Sequence, residues 1–394
     1  MNILFLTGVF PGYGGVESVT RVLANEFTGK GHHVWIASFE QETVDAHFKL
    51  DASVRLIALS YPVWRSRNTK LLSSLIDTKA MDIIINQWCL PYYVTTLCKN
   101  AIGSKPCKLI SVLHNTPDKN ARIASIEAAM QSSKQNSIKN RAYYPAKRWL
   151  TRAFIQWSMR DVYRRSDRYV LLSESFKSSF KAFTGIKNPE KLSFIPNLNT
   201  LTPSGKTTIE KENLILYVGR LDFYQKRVHR IIELWEDIYN DYPDWRLSIT
   251  GDGNEKADLQ HYVENRQIKR VEFTGNRNPS PYYEKAKLLL LTSEFEGFGL
   301  VITEGMSFGV VPVVYGSYSA VYDIIEHQQD GVIIPKPYNK ETAKKLVTGL
   351  MNDTKQLDRV AAKARQKVKV FDRSTIISHW EHLFTALHNS TIDQ

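Results

Sequence analysis

The chain lacks the glycine signature of a dinucleotide-binding turn. The pairs Gly12/Gly14, Gly251/Gly253 and Gly297/Gly299 have no third glycine at the required spacing, and no Gly-x-x-x-x-Gly-Lys-Ser/Thr run occurs. A nicotinamide dehydrogenase and a P-loop NTPase are both disfavoured. Asp-x-Asp is absent. His379 and His382 stand three apart on an amphipathic terminal segment, where solvated histidines are the expectation, so no metal is expected. Cysteine is scarce: Cys89, Cys98 and Cys107 show no ligand spacing and suit a reducing compartment better than a disulfide scaffold. No apolar run reaches the roughly 18 residues that a membrane-crossing helix needs. Residues 83–98 come nearest, and Asn86, Gln87 and Pro91 interrupt them. No basic residue precedes Arg21, which argues against a secretory signal and for a cytoplasmic protein that touches a membrane from outside at most.

What is present is long, mixed and basic. A chain of 394 residues suggests two domains, and a net charge of +12 suggests an acidic partner, whether nucleic acid, anionic lipid or a phosphorylated ligand. Residues 2–8 read as a buried strand, Pro11 to Gly15 as a turn, Val16–Phe27 as a helix with Val19, Val22, Leu23 and Phe27 on one face, and His33–Ala37 as the next strand. This strand–helix–strand unit implies a parallel sheet. Further strands are expected at Val54, Met81, Leu109 and Arg168. Residues 199–213, polar and rich in Thr, Ser, Lys and Glu, read as a linker. After it the pattern restarts at Leu214–Val218, with strands at Arg246, Val271, Lys287 and Val311. A last helix over Ser374–Leu387 carries Ile377, Trp380, Leu383 and Phe384 as its stripe. The fold class is therefore α/β, with doubly wound domains at 1–198 and 199–373 and a terminal helix at 374–394. Ligands of such sheets bind at the carboxyl ends of the strands, so the site is expected in a cleft between the two halves.

The segment Glu294-Phe-Glu296-Gly-Phe-Gly-Leu-Val-Ile-Thr-Glu304 follows the apolar run Leu288–Leu291 and leads into a helical pattern that stops at Gly309. A strand, a glycine turn and a helix start together make an anion site, through free N–H groups and the helix dipole. Two carboxylates, Glu296 and Glu304, are fixed beside it. The plainer alternative is a surface Glu296 and a dipole-favoured Glu304. Gly219-Arg220-Leu-Asp follows the Leu214 strand, with Lys226 shortly after. Arg offers a fork of donors and Lys a mobile charge, which suits a diphosphate; a basic pair there also suits a solvated loop. Gly14-Gly15 ends the first strand of the first half, where glycine lets a ligand approach the backbone or simply makes a tight turn. His114 ends another strand and suits either the cleft or a structural hydrogen bond. Asn276-Arg277, after the Val271 strand, could offer backbone groups to a nucleobase, and Pro196-Asn197 closes the first half.

Residues 131–168 carry Lys134, Lys139, Arg141, Lys147, Arg148, Arg152, Arg160, Arg164, Arg165 and Arg168 against Asp161 and Asp167, with Tyr143, Tyr144, Trp149, Phe154, Trp157 and Tyr163 interleaved. Such a stretch reads as a patch for an anionic membrane surface, centred on Lys147, Arg148, Trp149, Arg152 and Trp157. A solvated helix packed through its aromatics and a nucleic-acid face are the alternatives.

Taken together these motifs resemble glycosyltransferase family 4, retaining enzymes of the two-Rossmann GT-B fold. The resemblance runs through nearly the whole chain: Gly14-Gly15-Val-Glu17 with Gly31-His-His-Val, Phe194-Ile-Pro-Asn197, Gly219-Arg-Leu with Lys226-Arg, Ile249-Thr-Gly-Asp-Gly253, Val271-Glu-Phe-Thr-Gly275, and Glu296-Gly-Phe-Gly-Leu to Glu304-Gly-Met. Two positions depart from the family pattern: Leu198-Asn199-Thr200 after Pro-Asn, and Gly305 where alanine is commoner. The resemblance implies that Arg220 and Lys226 hold the donor diphosphate, that Glu304 binds the ribose, and that Glu296 binds the donor sugar with help from the backbone of Gly297, Phe298, Gly299 and Leu300. It places Gly14, Gly15, Asn197, Gly219, Asn276 and Arg277 around the donor and His114 near the sugar, with the terminal helix crossing back onto the first domain.

The activity so implied is transfer of a hexose or N-acetylhexosamine from a nucleotide sugar, a UDP-sugar first, to a glycan acceptor, lipid-linked, in cell-surface polysaccharide or lipopolysaccharide synthesis. No cofactor is implied: the nucleotide sugar is a substrate, and Arg220, Lys226 and a helix N-terminus meet the phosphate charge without a metal. Retention would follow front-face attack, with the departing phosphate accepting the acceptor's proton. The expected partners are the donor, the acceptor and an anionic membrane at the inner face of the cytoplasmic membrane, not nucleic acid. The competing readings are a nucleotide-sugar epimerase of the same fold and a non-catalytic nucleotide-sugar or nucleic-acid binding protein.

Overall fold

The computed structural model describes residues 1–44, 48–132, 142–203 and 210–392. The chain divides into two compact units, Met1–Thr200 with Arg373–Gln394, and Leu201–Asp372. The changeovers thus fall after Thr200 and Asp372, where the sequence reading puts them after 198 and 373.

In the first unit seven parallel strands run in the order β3-β2-β1-β4-β5-β6-β7. They are β1 (Asn2–Val9), β2 (His33–Glu40), β3 (Arg55–Ala58), β4 (Ile83–Asn86), β5 (Lys108–Leu113), β6 (Arg168–Leu171) and β7 (Leu192–Phe194). Ile3, Leu4, Phe5 and Leu6 of β1 are all inaccessible to solvent. Helices cover both faces of the sheet, which is why the strand reads as an unbroken apolar run rather than an alternating one. The helix Gly15–Gly29 buries Val19, Val22, Leu23 and Phe27. The terminal helix Arg373–Ile392 belongs to this unit: Trp380 and Phe384 pack on Phe27 with ring centroids 6.5 and 5.4 Å apart, and Arg373 pairs with Glu26 at 3.5 Å. His379 and His382 are exposed on its other side.

The second unit has six parallel strands in the order β10-β9-β8-β11-β12-β13. They are β8 (Leu214–Val218), β9 (Arg246–Thr250), β10 (Val271–Gly275), β11 (Leu288–Leu291), β12 (Val311–Tyr315) and β13 (Val332–Ile334). In each sheet the strand order reverses beside the first strand, between β1 and β4 and between β8 and β11. These reversals are the topological switch points at which doubly wound sheets bind ligands.

Two strands escape the sequence reading, β7 and β13. Each has three residues and lies at a sheet edge, too short for a periodic signal. The linker is also shorter than 199–213. Asn199 and Thr200 are buried in the first unit, with their carbonyls accepting bonds from Arg373. Lys211 donates to the Tyr283 carbonyl at 2.7 Å, Glu212 pairs with Arg246, and Asn213 accepts from Lys287 at 2.7 Å, all within the second unit.

Candidate functional site

The two loops that flank the switch point of the second sheet carry the charged candidates. The loop after β8 starts at Gly219 with φ +149°, runs past Arg220 and reaches Lys226. The loop after β11 runs from Thr292 to Gly299. Side chains and backbone stitch them together. The Arg220 guanidinium donates to Gln225 Oε1 at 3.0 Å, Gln225 Nε2 donates to the Phe295 carbonyl at 3.1 Å, and the Glu294 amide donates to the Gln225 carbonyl at 2.7 Å. Thr292 Oγ1 donates to the Arg227 carbonyl at 2.9 Å. Arg227 holds a left-handed backbone, φ +53°, costly for a residue with a Cβ. Its side chain is met by Glu294 at 3.5 Å and by the Phe223 ring at 4.7 Å, while Glu294 also pairs with Arg230 at 2.6 Å.

The result of this bracing is a short ion pair. Lys226 Nζ lies 2.6 Å from Glu296 Oε1, with the two side chains only 15% and 9% exposed. Each charge fixes the position of the other, and both are largely out of water, where Coulomb interactions are least screened. Arg220, by contrast, is exposed, with its head tethered by Gln225. An ammonium held by a carboxylate, with a tethered guanidinium nearby, can grip a polyanion on one side and hydroxyl groups on the other.

Glu304 sits on the helix Leu300–Ser307, only 7% exposed. Tyr283 donates its hydroxyl to Glu304 Oε2 at 3.1 Å. Burial, and the carboxylate itself, push the Tyr283 hydroxyl well above its ordinary pKa, so it stays a donor and orients the carboxylate. The helix Leu300–Ser307 is preceded by Gly299, φ +90°, with no side-chain cap; the Ile302 amide turns back on the Gly299 carbonyl at 2.9 Å, and a helix start of this kind favours an anion. Phe298 is not a ligand-facing ring: it is buried and packs edge-on against Phe371 at 5.4 Å, leaving only its backbone beside the turn. Asn276 and Arg277 are exposed in the loop after β10, two strands away from β8 in the sheet order.

In the first unit, Gly14 caps the helix Gly15–Gly29 without a side-chain bond. The Glu17 carboxylate folds back over it, so that a Cβ on Gly14 would meet Glu17 Oε2 at 2.0 Å. Burial raises the Glu17 pKa. His114 follows β5, and its Nε2 lies 2.5 Å from Gln87 Oε1, after β4. Burial lowers the His114 pKa to about 4, so the ring is neutral through the physiological range. His114, Gln87 and the buried Asn197 line one small cavity with Trp380 of the terminal helix. It has room for about one water molecule.

The helix Tyr144–Arg165 turns Ile155, Met159, Val162 and Tyr163 inward. Lys147, Arg148, Trp149, Leu150, Phe154 and Trp157 are exposed, Trp149 to 67%. Arg148 pairs with Glu127 at 2.8 Å, and Trp157 packs edge-on to Tyr92 at 4.8 Å. Arg152 differs from the others in being half-buried, with its guanidinium 4.9 Å over the Phe183 ring. Lys134, Lys139 and Arg141 lie outside the described residues.

Sequence reasoning does not single out Gln225, Glu294 or Tyr283, because each acts through a partner distant in the chain. Gly251 and Gly253 are visible as a motif, but their purpose is not: a Cβ on Gly251 would meet the Gly219 carbonyl oxygen at 1.9 Å, and one on Gly253 the Leu221 oxygen at 2.2 Å. The loop after β9 can support the loop that bears Arg220 only because both positions lack side chains.

Known proteins share this organisation. Residues 13–198 match the family model described as Glycosyltransferase Family 4, and residues 202–367 match that described as Glycosyl transferases group 1. An uncharacterized glycosyltransferase of Haemophilus influenzae is 30% identical over 217 residues, which span 55% of this chain and 60% of that relative. The GalNAc-alpha-(1->4)-GalNAc-alpha-(1->3)-diNAcBac-PP-undecaprenol alpha-1,4-N-acetyl-D-galactosaminyltransferase of Campylobacter jejuni is 29% identical over 381 residues, 96% of each chain. Among solved structures, Anabaena HepE in complex with UDP and glucose superposes with a TM-score of 0.72 at 18% identity, covering 98% of this chain and 100% of that one. This last likeness is one of fold.

Proposed function

Since the chain belongs to glycosyltransferase family 4 and has the GT-B fold, we propose that it transfers a hexose or N-acetylhexosamine from a UDP-sugar to a lipid-linked glycan acceptor with retention of anomeric configuration, in cell-surface polysaccharide or lipopolysaccharide synthesis. The observation that carries the donor half is the Lys226–Glu296 pair at 2.6 Å, set at the sheet's switch point between Arg220 and the uncapped helix start at Gly299. Bond breaking between sugar and phosphate develops negative charge on the diphosphate and positive charge at the anomeric carbon. Lys226 and Arg220 stabilise the first, with the helix N-terminus aiding them. Glu296 holds sugar hydroxyls on the reacting side, and Glu304, oriented by Tyr283, holds the ribose. The departing phosphate takes the acceptor's proton. His114, neutral, offers a hydrogen bond to the sugar rather than a charge. Gly14, Gly15, Asn197, Gly219, Asn276 and Arg277 complete the donor contacts on the family pattern.

A thermal-shift and turnover screen across UDP-, GDP- and ADP-sugars tests this reading. A shift and nucleotide release with a UDP-sugar are expected; no shift with any of the three classes overturns it. Turnover is expected to persist in excess EDTA, because cationic side chains and a helix dipole meet the diphosphate charge. Complete loss of activity that Mg²⁺ or Mn²⁺ restores refutes metal independence.

The acceptor half rests on the Campylobacter relative, whose name carries a PP-undecaprenol-linked glycan, and on the exposed Lys147, Arg148, Trp149 and Trp157. Among the described residues no helix is long and apolar enough to cross a membrane. The proposal assigns to this basic, aromatic face a contact with the inner surface of the cytoplasmic membrane. In liposome flotation the protein is expected to rise with anionic vesicles and to stay behind with neutral ones. Equal partitioning onto both counts against an electrostatic patch.

A further inference from the structure

Among the described residues several hydroxyls of the second unit are buried without a partner, Tyr318 among them. Tyr318 follows β12 and is 4% exposed, yet its Oη has no hydrogen-bond partner among the described residues. Tyr283, also buried, has its hydroxyl on Glu304. Natural proteins leave few buried polar atoms unsatisfied, and such atoms call for an account. The location supplies one. A Cβ built on Gly299 would meet Tyr318 Oη at 2.7 Å, so the hydroxyl stands against the residue that opens the helix Leu300–Ser307. That helix start has no side-chain cap. Burial and the nearby Glu296 carboxylate hold the hydroxyl well above its ordinary pKa, so it carries its proton and can donate. An uncapped helix N-terminus and a buried, unspent donor thus converge on one turn, and both favour an oxygen of negative charge.

We propose that Tyr318 is a donor-binding residue whose hydroxyl donates to an oxygen of the nucleotide's second phosphate, the one that carries the sugar, at the start of the Leu300–Ser307 helix. The assignment rests on the nucleotide-sugar reading above. It adds a neutral contact to the charged ones of Arg220 and Lys226, placed on the opposite side of the Glu296–Gly299 turn in sequence, after β12 rather than β8. It also gives glycine at 299 a purpose beyond its φ of +90°: a side chain there would collide with the hydroxyl.

Tyr318→Phe removes one oxygen and keeps the ring. Two readouts are expected to move in opposite directions. The ligand-free protein keeps or raises its Tm, because an unsatisfied buried hydroxyl is lost. Affinity for UDP, measured by calorimetry, falls about tenfold, or about 1.4 kcal/mol, while affinity for UMP, which lacks the second phosphate, stays within twofold. Unchanged UDP affinity overturns the assignment, and so does a fall in Tm, which would mean that the hydroxyl has a structural bond. A wild-type protein that binds none of UDP, GDP and ADP instead overturns the nucleotide reading itself, and the two failures are told apart by the wild-type titration alone.

Discussion

Lys226→Ala is expected to lower kcat/KM for the sugar nucleotide at least a hundredfold, equivalent to about 2.7 kcal/mol of transition-state stabilisation. Two losses combine. The ammonium that would meet charge as it develops on the leaving diphosphate disappears. The partner that holds Glu296 at 2.6 Å disappears with it, in a place where the two side chains are 15% and 9% exposed. Truncating one member of a buried pair commonly costs about 3–5 kcal/mol of stability, so the variant is expected to melt earlier as well, and activity must be compared at a temperature where both proteins are folded. Lys226→Arg keeps the charge and separates the two effects: it should recover most of the stability and less of the turnover, because a planar fork cannot take the place of a compact ammonium. Arg220→Ala, whose side chain is exposed and held by Gln225 at 3.0 Å, should lower turnover at least tenfold with little change in Tm. Wild-type turnover in both alanine variants would sink the diphosphate assignment. Since Glu296→Gln keeps a hydrogen-bonding group but not the charge, it completes the cycle: coupling between positions 226 and 296 in turnover, beyond that in stability, marks the pair as working on the ligand rather than only on each other.

The sheets were legible in the chain because strands buried on both faces announce themselves as unbroken apolar runs, and Ile3–Leu6 or Leu288–Leu291 have no competing interpretation. The edge strands β7 and β13 were not, because three residues carry no period. In the site, the charged residues were legible as types at strand ends: Arg220, Lys226, Glu296 and Glu304 follow β8 and β11 and so fall at the switch point once the strand order is known. What holds them there was hidden. Gln225 looks like any loop glutamine until its amide is seen to join Arg220 to the Phe295 carbonyl, about seventy positions along the chain. Glu294 stands at the start of the motif with no role legible there, and its partners prove to be Arg227 and Arg230. Phe298 divides its roles: the family resemblance gives a part only to its backbone, and its ring is spent on Phe371. Chemistry is written in residue type and local spacing, whereas bracing is written in contacts between distant segments, which one sequence does not display.

Gly251→Ala carries the largest expected effect on folding and shows how such bracing is tested. The added Cβ would lie 1.9 Å from the Gly219 carbonyl oxygen, a backbone atom that cannot swing aside as a side chain can. Gly219 is itself held, since its amide donates to the Thr250 carbonyl at 3.0 Å and the Gly251 amide donates to the Gly275 carbonyl at 2.9 Å. Relief therefore requires β8 and β9 to separate at their carboxyl ends, in the middle of a sheet whose strands Leu214–Val218 and Arg246–Thr250 are almost wholly buried. The backbone adds to this, because φ at Gly251 is +147°, a region that alanine avoids. Overpacking of about 1–3 kcal/mol and backbone strain of similar size give roughly 2–6 kcal/mol, set against the 5–15 kcal/mol by which domains are ordinarily stable. The variant is expected to accumulate mainly as insoluble protein, and its soluble fraction to melt at least 10 °C below wild type. Gly349→Ala is the control: it is a helical glycine with open space around its Cβ position and no positive φ, so the same substitution there should leave Tm unchanged or raise it. If Gly251→Ala melts with wild type, β8 and β9 do not approach as closely as the backbone contact requires, and the support given to the Arg220 loop falls with it. If it melts early but its soluble fraction still binds UDP with wild-type affinity, the glycine serves the sheet alone. Loss of both is the expected result, because the carbonyl displaced by the new methyl group belongs to the residue that immediately precedes Arg220.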